Sequence, residues 1–260
     1  MPYSPYEWNE SVKQRNEFIE ERLREGAPVV GISYDKGILL LTIRRSQRKI
    51  YEIYDKLMFS AIGNQSDIEA IRTGAIDIAH REGFQRSPDD VSIQRIVGFA
   101  VSPSIKKVYA DPFAQPVAIR AIFAELGKTP EQDQYFLVGY DGEFSKLAFR
   151  AAAAGTIEDE QRMLDELDRQ VGGEGKIPDF ELASKAAMEA WAAGRLDSTS
   201  FDSPVEGLGD KASLSADMLR EAFALGGILE AAVLERDTKR EIHFRMLTEA
   251  ETDKLRAQYR

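Results

Sequence analysis

Few side chains in this sequence are equipped for chemistry, and their settings narrow the field further. There is no cysteine, which removes thiol nucleophiles, disulfides and thiolate metal sites. The two histidines, His80 and His243, are too few for a His-rich metal site, and His80, beside Arg81 and Glu82 at a helix end, reads as solvated. Serines are plentiful (Ser33, Ser46, Ser60, Ser66), but none sits in the GxSxG setting of a nucleophile elbow. Asp89 and Asp90 fall where a helix would begin, and there paired carboxylates serve the first turn electrostatically. Residues 158–161, EDEQ, read as another helix start. Residues 197–202, DSTSFD, lack the glycine and later glutamate spacing of a calcium loop. Lys49 closes a basic run, RRSQRK. On residue type alone it is one more solvated lysine in a polar turn. No cofactor and no metal is expected.

Bulk properties set the frame for these residues. The chain has 260 residues, with 34 Lys and Arg against 44 Asp and Glu, a net charge of −10. That balance argues against nucleic acid as the main partner, because phosphate binding needs a basic face. The 43% hydrophobic and 30% charged content excludes wholesale disorder. A chain of this size can hide roughly 70–75% of its unfolded surface. No apolar run approaches the ~20 residues that cross a bilayer, so no membrane partner is expected. The opening MPYSPYEWNE has neither a basic nor an apolar signal region. The expected location is the cytoplasm.

Periodicity supplies the elements. Residues 5–24 read as one helix, capped by Ser4, with Pro5 in its first turn and Trp8, Val12, Ile19 and Leu23 along one face beside Phe18. Gly26 stops it. Residues 29–34 and 38–43 form a hairpin about Asp35-Lys36-Gly37, and 49–54 and 57–62 a second pair of strands. The unbroken apolar run GILLLTI predicts a strand covered on both faces. Residues 67–81 and 88–108 read as helices, the second ended or kinked at Ser102-Pro103. Strands are expected at 117–124, 134–140 and 144–149, the last two joined by Asp141-Gly142, a strong hairpin signal. A helix capped by Thr156 and another over 178–194 follow. Residues 195–225 show no firm pattern beyond mild helicity near 218–224. A last hairpin, 227–235 with 241–246, leads to a short helix capped by Thr248.

Strands do not alternate singly with helices, which excludes a doubly wound parallel sheet. The expectation is an α+β fold: a four-layer αββα sandwich of two antiparallel sheets between helix layers, with an extra N-terminal helix. Residues 1–25 would form a separate opening segment and residues 26–260 a single sandwich domain.

Several stretches together resemble the α-type subunits of proteasomes, bacterial and archaeal ones above all. They are REGAPVVGISYDKGILLLTIRR, RKIYEIYDKLMFSAIGN, DIEAIRTGAIDIAHREG, RSPDDVSIQRIV, FLVGYDGEFSKLAF with RAAAAGTIEDEQRML, and GILEAAVLERDTKREIHFRML. The likeness is strongest over residues 6–172 and 226–247 and poor over 195–225. The helix ahead of the first strand is an α-type feature. The specificity lies in the ordered series, since no single motif is a fingerprint.

The resemblance implies the N-terminal-nucleophile hydrolase fold without its activity. Related β-type subunits use a terminal threonine as nucleophile and its own α-amino group as base. The threonine position reads Ala27 here, the acidic partner's position reads Ile43, and only the lysine position is kept, as Lys49. The implied function is a non-catalytic subunit of a threonine endopeptidase complex. It would form a homo-heptameric outer ring on β subunits, gate the entry of unfolded protein substrates, and dock an AAA+ ATPase or other activator. Lys49 would pair with the activator's C-terminal carboxylate in a pocket between neighbouring subunits, walled by Gly31 and the loop at Gly26. Tyr3, Pro5 and Tyr6 would form the gate, and Trp8, Val12, Ile19 and Leu23 the ring contact. Two alternatives stay open: a self-assembling hydrolase of the same fold with a different nucleophile, and a stand-alone α-like binding protein without a β partner.

Overall fold

The computed structural model describes residues 5–173, 175–196, 211–240 and 242–259. Two five-stranded antiparallel sheets form its centre. In the first, β1 (Val29–Tyr34), β2 (Gly37–Arg44), β8 (Arg150–Ala153), β9 (Ile228–Glu235) and β10 (Phe244–Met246) lie in the order β10-β9-β2-β1-β8. In the second, β3 (Ile50–Tyr54), β4 (Leu57–Gly63), β5 (Ile119–Glu125), β6 (Gln134–Val138) and β7 (Phe144–Leu147) run in sequence order.

Alternation along the strands divides the apolar residues among three layers. Leu40 of β2, Met58 of β4 and Ile122 of β5 fill the space between the sheets with Tyr135 and Ala232. Leu39 and Leu41 point the other way, into a cluster under α5 (Ile157–Val171), α6 (Phe180–Ala193), α7 (Lys211–Ala224) and α8 (Glu249–Arg256). Phe59, Ala61 and Phe123 do the same under α2 (Gln65–Gln85) and the helical stretch after it. These layers make the fold the expected αββα sandwich. Because β2 is buried along nearly all its length, its continuous apolar sequence is explained by cover on both faces.

Tyr34 pairs with Gly37 across a two-residue turn. A Cβ at Gly37 would lie 1.9 Å from the Leu234 carbonyl oxygen, so only glycine fits. Asn64 caps α2, Thr156 caps α5 and Asp179 caps α6, and Thr248 builds a full capping box with Glu251.

Three expectations change. The helix over 88–108 is divided. A 3₁₀ turn (Pro88–Asp90) comes first, then α3 (Ile93–Ile96), a π-helical turn (Val97–Val101) and α4 (Ser102–Ala110). Pro103 lies in the first turn of α4, where its missing N–H costs nothing. The strand expected over 144–149 ends at Leu147. Phe149 then turns with φ 64°, its carbonyl accepts from Ser33 N, and β8 joins the other sheet. Within residues 195–225, Lys211–Ala224 is a helix with Leu219 and Phe223 packed into the core.

The opening helix α1 (Pro5–Arg24) is present, but its apolar face is not free. Ile19 and Leu23 are wholly buried in the inter-sheet core beside Ile62 and Ala118. The ring contact expected of these two residues therefore gives way to an intramolecular one. Arg15 donates to the carbonyls of Tyr109, Asp111 and Ala114, fastening α1 to the end of α4. Val12 is half-buried. Tyr3 and Ser4 lie outside the described residues, as do the side chains of Pro5, Tyr6 and Trp8.

Candidate functional site

The end of β2 and the turn before β3 form one rim of a cleft of about 770 Å³. Arg24 and Glu25 at the end of α1, Ala27, Trp191 on α6, Arg195 beyond it, and Met218 and Glu221 on α7 complete it. A second hollow of about 600 Å³, under Thr156 and Arg162, is also lined by Arg24 and Arg195. Helix α7, from the segment whose sequence showed no firm pattern, thus supplies a wall.

Two hydrogen bonds set the floor. Thr42 Oγ1 donates to the Pro28 carbonyl at 2.6 Å and holds the 27–28 segment against β2. Lys49 Nζ donates to the Ala27 carbonyl at 2.6 Å. Glu230 on β9 fixes the backbone that carries this lysine. Its carboxylate accepts from Lys49 N at 3.1 Å and Ile50 N at 3.0 Å and pairs with Arg44. Glu230 opposes Thr42 in the first sheet, whereas Ile50 begins the second, so this one buried carboxylate ties the sheets together where the cleft opens.

The charge on Lys49 is therefore unusual. Removal from water pushes its pKa down to about 8, against the raising effect of Glu230 and helped by Arg195. Glu230 already serves two backbone amides and a guanidinium. Among the described residues no carboxylate lies within ion-pair distance of Lys49 Nζ. A partly desolvated ammonium without a counter-ion is built to receive an anion.

Ala27, Ile43 and Lys49, at the positions the resemblance gives to the threonine, acid and lysine of active subunits, all line this cleft. A methyl group and a branched alkyl chain stand where nucleophile and acid would be, and the chain runs on from Ala27 through Gly26 into α1. Neither side chain can serve as the nucleophile or the acid of peptide hydrolysis.

The two glycines expected to wall the pocket between subunits do not line this cleft. Gly31 is buried in β1, away from the cleft. A Cβ there would come within 2.9 Å of the Tyr135 ring and 3.0 Å of Leu40. Gly26 is flanked by cleft residues, but its own role is to end α1: its N–H bonds to the Leu23 carbonyl, and a Cβ would sit 3.0 Å from Ile62. Glu230 and Trp191 were not anticipated. The signal for Glu230 was present, as the one charge inside the apolar run ILEAAVL. Trp191 is packed into the core under α6, and its indole N–H is buried without a partner among the described residues.

Among the described residues, no cluster of metal-ligating side chains occurs and no helix is long and apolar enough to cross a membrane. No family model matches the chain. Curated relatives do. A proteasome subunit alpha of Xylanimonas cellulosilytica is 30% identical over 157 residues, 60% of this chain and 64% of that protein, slightly under two thirds of its length. One of Actinosynnema mirum is 28% identical over 231 residues, 88% of this chain and 78% of that protein. One of Parafrankia is 28% identical over 196 residues, 75% and 78%. With its sandwich, its added N-terminal helix and these relatives, the chain is a homologue of bacterial proteasome α subunits.

Proposed function

We propose that the protein is the non-catalytic α subunit of a cytoplasmic 20S proteasome core particle. Seven copies form an outer ring on a ring of threonine-dependent β subunits. Residues 1–25 act as gate and assembly segment, residues 26–260 as the sandwich, and Tyr3, Pro5 and Tyr6 close the entrance to unfolded protein substrates. An AAA+ ATPase or similar activator docks by inserting a C-terminal tail.

One observation carries this reading. The lysine at the position of the hydrolytic lysine has no ion-pair partner among the described residues and lines an open cleft, beside an alanine and an isoleucine that cannot do chemistry. A tail carboxylate leaving water loses hydration, and the Lys49 ammonium offsets that with a charge-assisted hydrogen bond of roughly 1.5–3 kcal/mol. Several tails on one ring multiply the effect.

The test is reconstitution with β subunits and activator. Lys49→Ala is expected to abolish most ATP-dependent protein degradation while assembly and basal peptide cleavage stay near wild type. Unchanged stimulation would leave Lys49 a surface charge and remove the docking site. The isolated protein should cleave no fluorogenic peptide; turnover lost on a single serine or threonine substitution would make it a hydrolase.

A further inference from the structure

Lys49 carries a second chemistry that needs no docking partner. Lys49 lines an open cleft, and among the described residues its Nζ gives one hydrogen bond, to the Ala27 carbonyl at 2.6 Å. A neutral amine can keep that bond with one N–H and still hold a lone pair. The charges around it come from every wall. Arg24 and Glu25 end α1, Arg44 and Arg45 end β2, Arg195 follows α6, and Glu221 projects from α7. Glu230 lies behind, occupied by Arg44 and two backbone amides. Among the described residues, with Arg44 offset by Glu230, three further arginines and Lys49 stand against two lining glutamates and give the mouth a net positive charge in a protein whose net charge is −10. Such a cleft concentrates small anions.

We propose that the Lys49 ε-amine is a selective acylation site for small acyl phosphates, which the cleft's arginines gather by their phosphate group. The amine attacks the acyl carbon and a C–N bond forms. The bond from that carbon to the phosphate oxygen breaks, and the phosphate leaves with the amine's proton. An amide and inorganic phosphate result, with no other reactant. Burial favours the free base here: with a pKa of about 8, close to a tenth of Lys49 is neutral at pH 7, far more than of an ordinary surface lysine. The amide has no charge, so under the docking reading acylation would release the activator. That consequence rests on the docking reading; the acylation does not.

The full-length chain alone is treated with acetyl phosphate at pH 7.5, and each lysine is followed by peptide-resolved mass spectrometry. Lys49 is expected to react about tenfold faster than exposed Lys146, the gain in free base outweighing its lower intrinsic nucleophilicity. Its rate should level off above about pH 8.5. Arg195→Ala also lets the Lys49 pKa rise, so it should slow both donors, but severalfold more with acetyl phosphate than with neutral p-nitrophenyl acetate. A Lys49 rate at or below that of Lys146, or an Arg195 effect of equal size with both donors, would overturn the proposal.

Discussion

At the scale of single residues, Lys49 and Glu230 divide the labour in the cleft. Glu230 holds the backbone and Lys49 holds the charge. A carboxylate ligand takes the protonated lysine, and desolvation lowers the folded pKa to about 8. Under the docking proposal, binding should therefore be at full strength below about pH 7 and weaken by about tenfold per pH unit above 8. Calorimetry of an activator-tail peptide against pH should show this decline. Lys49→Arg should flatten it, because a guanidinium stays charged throughout; a flat wild-type profile would exclude Lys49 as the anchor. Glu230→Ala leaves two amides and Arg44 without their buried acceptor. It should cost about 3–5 kcal/mol in urea unfolding, and a loss under 1 kcal/mol would contradict the clamp. From the sequence Lys49 was one charge in a basic run. Nothing in RRSQRK reveals that Glu230, some 180 residues on, neutralises Arg44 and leaves the lysine alone.

At the scale of elements, α1 works as a stopper before it works as a contact. Its last two turns put Ile19 and Leu23 into the open end of the inter-sheet core. Each substitution to alanine should cost about 2–5 kcal/mol. Deleting residues 1–24 should therefore lower the stability of the sandwich as well as prevent assembly; an unchanged unfolding midpoint would contradict the plug. Under the proposed function, the ring contact would then fall to the outer surface of α1. Val12→Asp should spare the fold and lower the assembled mass by size-exclusion light scattering. The periodicity of α1 was legible, but the partner of its apolar face was not, since a stripe reads the same against a neighbour or against its own sheets. Likewise β8 was missed. Its RAAA sequence has no β-branched residue, and only burial between β1 and α5 makes it a strand. The helices, caps and hairpins with strong local signals, such as Thr248 and Asp141-Gly142, stood where the sequence put them.

At the scale of the whole molecule, the sandwich is that of a homologue of proteasome α subunits, and under the proposed function its cleft serves recognition. The segment ahead of α1 is proposed as the gate. Removing residues 2–6 should raise degradation of an unfolded protein by the reconstituted particle and change short-peptide cleavage little, because small peptides pass a partly closed pore. Equal protein degradation before and after the deletion would take the gate away from this segment.

The measurement that bears most directly on the central claim is native mass spectrometry of this chain co-purified with a threonine-initiated β subunit. The expected particle carries seven copies of this chain in each outer ring, with all peptidase activity dependent on the β subunits. A particle of β subunits without this chain, or a chain that stays monomeric and cleaves peptides alone, would contradict it.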